Sequence, residues 1–351
     1  MANSGPDPDR VRHGAKPRAG RPELLLSIIV VNYRSWEDLG RCLDSVAYLT
    51  DSGAPPAEII VVDNGSGESR LATFAAGYPG VRFIESSGNY GFAHGCNRGA
   101  RDARGAELLF LNPDARDPGS AISRFLAAKR ERPDVAILTV RQVDARGVPQ
   151  RIVGPFPTVV NLIGPARALL RLLRPGAYPD PRAPFAGELR VDWVSGAALM
   201  ISRAALDRLG GWCEDYWMYS EDVDLCRRAA NQGTIVACRG DIVLEHRHGG
   251  SSRADSKTAA LTRAEVVISR HLFAHRHLGR LHAGVYHLVV ALTRWVPLML
   301  PALLARLWFS APAPIQVRAG AFGELSRHYI RILTTRNWIS PRSLNHRSAG
   351  T

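Results

Sequence analysis

Residues 24–31 form an apolar, β-branched run that stops abruptly at Asn32-Tyr33. Such a run is too short to cross a bilayer, and its composition suits a strand covered on both faces. The pattern recurs. Residues 59–62 end in Asp63-Asn64-Gly65-Ser66, residues 81–85 precede Gly88-Asn89-Tyr90-Gly91, and residues 108–111 end in Asn112-Pro113-Asp114. Helical stretches separate them, at about 35–48, through 97–103 and at about 120–130, and a further strand is expected at 135–140. This alternation predicts right-handed βαβ units and a mostly parallel sheet of the α/β class. In such sheets ligands bind beyond the carboxyl ends of the strands, where these polar clusters fall. Turn chemistry alone also favours Asn, Asp and Gly there, so the clusters locate a site and leave its chemistry open. No GxGxxG follows the first strand, and neither a GxxxxGK[ST] loop nor a serine nucleophile elbow occurs. A dinucleotide-binding dehydrogenase, a P-loop NTPase and a serine hydrolase are therefore disfavoured.

Farther along, residues 140–152 read as a hairpin around Asp144-Ala145-Arg146-Gly147. A short basic amphipathic helix is expected from about Ala166, past the break at Pro165, with Arg167, Arg171 and Arg174 on one face. Residues 175–187 read as a loop. Strands are expected at 189–193 and 197–201 around Ser195-Gly196, a helix at 203–209, and strands at 234–238 and 242–245.

Three acids in four positions open another helix, in Tyr219-Ser220-Glu221-Asp222-Val223-Asp224-Leu225. Ser220 is the expected N-cap and Gly233 the left-handed stop. Helical spacing groups Asp222 with Leu225, Cys226 and Ala229, at the border of an apolar stripe. Glu221, Asp224 and Arg228 share another face, with Asp224 and Arg228 placed for an i,i+4 ion pair. Partial burial raises a carboxylate's pKa, which suits Asp222 to general-base work; acids in a first turn also complement the helix dipole.

A net charge of +13 comes almost wholly from arginine, since Lys16, Lys129 and Lys257 are the lysines. Anionic lipid headgroups or phosphorylated substrates fit this balance. Aromatics are not interleaved with the basic clusters, so nucleic acid is not the expected partner. Five scattered cysteines without a CxxC pair read as reduced thiols of a cytosolic protein. Residues 1–22 are expected to be a disordered basic tail, 23–255 the catalytic domain and 256–351 a helical region. Within the last, 258–278 reads as a helix. Residues 285–304 could span a bilayer by length but contain His287, Arg294, Pro297 and Pro301. A central arginine costs about 2.5 kcal/mol or more on insertion, so the stretch is expected to lie in the interface.

Taken in order, Ser27-Ile28-Ile29-Val30-Val31-Asn32-Tyr33, Val62-Asp63-Asn64-Gly65-Ser66, Gly88-Asn89-Tyr90-Gly91, Asn112-Pro113-Asp114, Ser220-Glu221-Asp222-Val223-Asp224 and the segment 246–252 resemble the family 2 glycosyltransferases. The bacterial rhamnosyltransferase branch is the most similar. The resemblance implies a GT-A fold, a nucleotide-sugar donor, inversion at the anomeric carbon and Mg²⁺ or Mn²⁺. It implies Asp222 as base, and Asn32, Asp63, Asn64, Asn89, Asn112 and Asp114 on the donor side. Gly196, Trp193 and Glu221 would line the acceptor or sugar pocket, and Asp114 with His246 would hold the metal, His248 being the alternative ligand. Asn112 stands where many members carry an Asp, leaving one fewer anionic ligand. The implied reaction moves L-rhamnose from dTDP-rhamnose to a polyprenyl-diphosphate glycan, by a peripheral enzyme on the cytoplasmic membrane face. Another donor, a UDP-hexose or a furanose, acting on polysaccharide, or a catalytically silent nucleotide-sugar-binding scaffold, is the alternative.

Overall fold

The computed structural model of this 351-residue chain describes residues 24–50, 56–67, 70–117, 119–173, 185–247, 255–307 and 311–348. It opens with β1 (Leu26–Asn32), α1 (Trp36–Val46), β2 (Ala57–Asp63), α2 (Arg70–Gly77), β3 (Val81–Glu85), α3 (Phe92–Asp102) and β4 (Glu107–Leu111). β1 pairs in parallel with β2 and β4, and β2 with β3. Every residue of β1 is buried, because the two sheet faces carry separate helix layers. Ile28 and Val30 pack in one core with Leu39 and Leu43 of α1, while Ile29 and Val31 pack in another with Cys96 and Ala100 of α3. Two-sided cover is why these strands read as unbroken apolar runs. Each such side chain stabilises the fold by about 1.5–3 kcal/mol.

The chain continues through β5 (Ala115–Arg116), α4 (Ala121–Glu131), β6 (Val135–Val143), β7 (Val153–Gly154), α5 (Val159–Leu162) and α6 (Gly164–Leu173). Then come β8 (Glu188–Arg190), β9 (Trp193–Val194), β10 (Ala198–Ser202), α7 (Arg203–Leu209), α8 (Glu221–Asn231) and β11 (Ile235–His246). Among the described residues the main sheet runs β3-β2-β1-β4-β10-β6-β11-β5, with β8 on β11. β10 lies antiparallel between β4 and β6, so the sheet is parallel-rich and mixed. The expected 140–152 hairpin is a turn at Asp144 closed by one Val143–Pro149 bridge, and β7 pairs with β9 instead. The two strands expected at 234–238 and 242–245 are one strand, irregular between Arg239 and Val243. The cysteines are unpaired, as expected. α6 forms where the basic helix was expected. Arg174, the side chains of Arg167 and Arg171, the tail 1–22, most of the 175–187 loop and His248 lie outside the described residues.

Beyond the sheet stand α9 (Ser256–His277), α10 (Arg280–Val290), α11 (Met299–Leu307), α12 (Ala313–Thr335) and α13 (Leu344–Ser348). Asp255 caps α9, accepting from the Lys257 and Thr258 N–H groups. α9 and α12 approach closely because position 320 is glycine: a Cβ there would lie 2.8 Å from that of Ala260. Val267, Ile268, Tyr286, Val290, Leu298 and Leu325 form a third core. This layer is tied to α8 through Asp224, which is fully buried and holds Arg228 Nε at 2.8 Å and His277 Nε2 at 2.7 Å. Arg276 pairs with Asp215 nearby. Residues Arg280–Leu307 are helical throughout, with a wide turn at Ala291–Trp295 and a tight one at Val296–Leu298. By length and composition this run could cross a membrane, with mean hydropathy 1.9 and 11% burial over its most apolar window. Leu281, Leu288, Leu292, Leu300, Leu303 and Leu307 are exposed along it.

Candidate active site

A cavity of about 710 Å³ opens beyond the carboxyl ends of β1, β2 and β4, where the chain leaves β1 towards neighbours on opposite sides. Asn64, Asn89, Asn112, Asp114, Gly196, Glu221, Asp222 and His246 all line it, so eight of the residues singled out by sequence meet in one space. Asn32 and Asp63 do not line it. They are buried behind the wall, where Asn32 Nδ2 donates to Asp63 Oδ1 at 3.0 Å and Asp63 Oδ2 accepts from the Ser66 N–H at 3.0 Å. These bonds tie the end of β1 to the loop after β2. Trp193 does not line the cavity either; its indole donates to the Pro155 carbonyl at 2.8 Å.

One wall is organised by Asn89. Its Oδ1 accepts from Asn64 Nδ2 at 3.2 Å, the Gly91 N–H at 3.1 Å and Trp217 Nε1 at 3.2 Å. Gly91 has φ +102°, and a Cβ on it would sit 2.2 Å from the Trp217 carbonyl, which accepts from the Phe92 N–H at 2.9 Å. Only glycine permits that approach, and it staples the loop before α8 to the end of the third βα unit. Asn64 Oδ1 is buried with no hydrogen-bond partner among the described residues, although its residue lines the cavity.

α8 begins differently from the expectation. Tyr219 and Ser220 both adopt left-handed backbone, with φ of 71° and 63°, and the Ser220 side chain makes no capping bond. An N-cap requires extended backbone, so the expected cap is lost. Two successive left-handed non-glycine residues cost about 1 kcal/mol or more each. Both Glu221 and Asp222 line the cavity directly after them. Half-buried Asp222 accepts from the Gly196 N–H at 3.0 Å and its own neighbour's, Val223, at 2.8 Å. Burial raises its pKa, and those N–H groups hold part of the rise back. Glu221 is pushed well above the ordinary range by burial first and by the Asp222 charge second, and its Oε2 has no partner among the described residues.

Pairing of β5 with β11 sets Ala115 opposite His246, which brings Asp114 beside that imidazole: Nε2 to Oδ1 is 3.1 Å. On the other side of the ring, Gln150 donates its amide to the His246 carbonyl, so its Oε1 faces Nδ1, at 3.0 Å. A proton on Nδ1 in that orientation would leave the Nε2 lone pair facing the carboxylate. Two acceptors in that arrangement suit a shared cation, and a ligating histidine characteristically donates its other N–H to such an oxygen. A carboxylate and an imidazole are donors that Mg²⁺ or, with more tolerance of nitrogen, Mn²⁺ accepts, and among the described residues no third His, Cys, Asp or Glu joins them.

Sequence reasoning missed Tyr33, Ser35 and Asp38, which the first loop presents in place of Asn32. It also missed the contribution of the C-terminal helices, Ala259, Thr262, Arg263, Val266 and Val317. The spacing of the four α9 positions was the available signal.

A parallel-rich sheet with a cavity over its carboxyl edge, closed by an acidic helix after an antiparallel insertion, defines a GT-A-type domain. The solved structure of GalNAc-T7 with UDP, GalNAc and Mn2+ has this fold, with a TM-score of 0.51 at 15% identity, covering 73% of this chain and 51% of that one. The family model described as Glycosyl transferase family 2 matches residues 27–186. A low-salt glycan biosynthesis hexosyltransferase of Haloferax volcanii is 30% identical over 215 residues, 60% of this chain and 63% of that protein's length. An N-acetylglucosaminyl-diphospho-decaprenol L-rhamnosyltransferase of Mycobacterium tuberculosis is 26% identical over 275 residues, 73% of this chain and 86% of that protein.

Proposed function

We propose that the chain is an inverting, metal-assisted transferase that moves L-rhamnose from dTDP-rhamnose to a polyprenyl-diphosphate-linked glycan at the cytoplasmic membrane surface. The observation that carries this reading is a single cavity into which Asn64, the Asp114–His246 pair and Asp222 all open. Thymine presents an imide N–H, which matches the unpartnered Asn64 Oδ1. The relative from M. tuberculosis, named for a rhamnosyl transfer to a lipid diphosphate, supports the choice of donor and acceptor.

In this reading Asp222 takes the proton of the acceptor hydroxyl as that oxygen attacks the anomeric carbon. The bond to the nucleoside diphosphate breaks on the opposite face, so configuration inverts and no covalent nucleophile is needed. A carboxyl held above its ordinary pKa is the stronger base for that step. Glu221, whose pKa is pushed up by burial and by the Asp222 charge, would face a sugar hydroxyl in the same cavity. Asp114 and His246 would hold a divalent ion, whose chemistry is to offset charge developing on the leaving diphosphate. The exposed apolar run Arg280–Leu307 would lie in the headgroup region and keep the cavity at the membrane surface.

A thermal-shift panel of nucleotide sugars tests the reading, since a ligand at 100 times its Kd adds about 2.7 kcal/mol to stability. dTDP-rhamnose with Mn²⁺ should give the largest shift. Stabilisation only by a UDP-hexose would overturn the donor, and no shift with any nucleotide would overturn the transferase.

A further inference from the structure

The wall that completes the cavity comes from outside the sheet. On α9, Ala259, Thr262, Arg263 and Val266 fall at i, i+3, i+4 and i+7, one helical face, and Val317 of α12 joins them. Among the described residues four carboxylates line the cavity, on Asp114, Glu221, Asp222 and Asp38, the last paired with Arg41 and Arg247, and Arg263 brings the one lining guanidinium. Among the described residues Arg263 has neither an ion pair nor a hydrogen bond, whereas Arg228, Arg276 and Arg342 nearby in the chain or layer are all paired. An acidic cavity repels a phosphate unless a cation is supplied, and a guanidinium fork matches phosphate oxygens two at a time. α9 and α12 also carry the core on which the exposed apolar run packs through Tyr286, Val290 and Leu298. Cavity wall and apolar ridge thus belong to one helical layer.

Resting on the transferase reading, we propose that Arg263, flanked by Val266 and Val317, is the acceptor subsite for an anionic amphiphile. The guanidinium binds the acceptor's phosphate oxygens and the valines take the first carbons of its prenyl chain. Arg263 is a specificity residue and does not touch the reacting atoms.

Calorimetry on the full chain with saturating dTDP and Mn²⁺, which fill the donor side, tests this with geranyl diphosphate and inorganic pyrophosphate as probes. Geranyl diphosphate should bind the wild type about tenfold or more tighter than pyrophosphate, and Arg263→Gln should weaken both about tenfold or more. Arg263→Lys should recover part of the loss. dTDP affinity, measured alone, should be the same in all three proteins. Equal binding of the two probes would overturn the lipid component and leave a free phosphate as the ligand. Lower dTDP affinity in Arg263→Gln would assign the arginine to the donor. A wild type that binds dTDP but neither probe would overturn the subsite and leave the transferase reading standing; no binding of dTDP would remove that reading itself.

Discussion

Replacing Asp222 by Asn separates proton acceptance from the rest of the site. The carboxylate accepts from the Gly196 and Val223 N–H groups. An amide keeps one of those bonds and turns an NH₂ towards the other donor, a loss of about 1.5–3 kcal/mol for a bond to a charged group. Opposing this, burial raises the Asp222 pKa, so the folded environment on balance disfavours the charge. With a folded pKa above the unfolded value of about 3.9, the group's stabilising contribution is fully present below that value and lost as pH rises through the folded one. Removing the charge therefore restores stability at neutral pH, and the two effects offset. The melting temperature should move by only a few degrees. Turnover should fall by about 10²–10⁴, because no acceptor remains for the hydroxyl proton. Initial rates of nucleoside diphosphate release measure this, alongside donor affinity, which should be unchanged. In the wild type the rate should rise with pH above the ordinary carboxylate range, as Asp222 ionises. A variant within a few-fold of wild type, with the loss appearing in Glu221→Gln instead, would refute the reasoning.

Asp114→Ala and His246→Ala should abolish the Mn²⁺-dependent part of nucleotide stabilisation; transfer that proceeds undiminished in EDTA would contradict a metal role. Gln150→Leu removes the oxygen facing His246 Nδ1 and should weaken Mn²⁺ affinity by about 10- to 100-fold in a direct titration, with an unchanged affinity arguing against that orientation. The full chain should sediment with acidic liposomes and resist high salt in part, since apolar insertion is not screened as charge is. Leu288→Asp with Leu300→Asp and Leu303→Asp should release it without lowering the melting temperature, because these side chains are exposed; retention on liposomes would place the contact elsewhere.

β1, β2 and β4 were legible because both their faces are buried, so each is an apolar run with a polar end, whereas β3, at the sheet edge, is only partly buried. α2 was not, since none of its residues is fully buried and no stripe marks it. β11 read as two strands because Arg239-Gly240-Asp241 resembles a turn; the backbone instead passes through an irregularity where Gly240 lies against Phe185. Ser220 read as a cap because its residue type suits one, whereas the left-handed pair before Glu221 depends on the tertiary staple through Gly91 and Trp217. Asn32 and Asp63 carry the residue types of a site but bond each other behind the cavity wall, which only the parallel register of β1 and β2 reveals. The spacing of Ala259, Thr262, Arg263 and Val266 marks one face of α9, but that this face meets the cavity follows from tertiary contacts such as the long-range pairing of His277 with Asp224.

The proposed reaction uses one cavity for both the donor and Asp222. It is tested most directly by identifying the product formed from dTDP-rhamnose, whose anomeric configuration is known, and a short prenyl-diphosphate-linked N-acetylglucosamine with Mn²⁺. The expected product carries one added deoxyhexose, joined with configuration opposite to the donor's and absent when Asp222→Asn replaces the wild type. Retained configuration, or no product from a protein that binds both substrates, would contradict it.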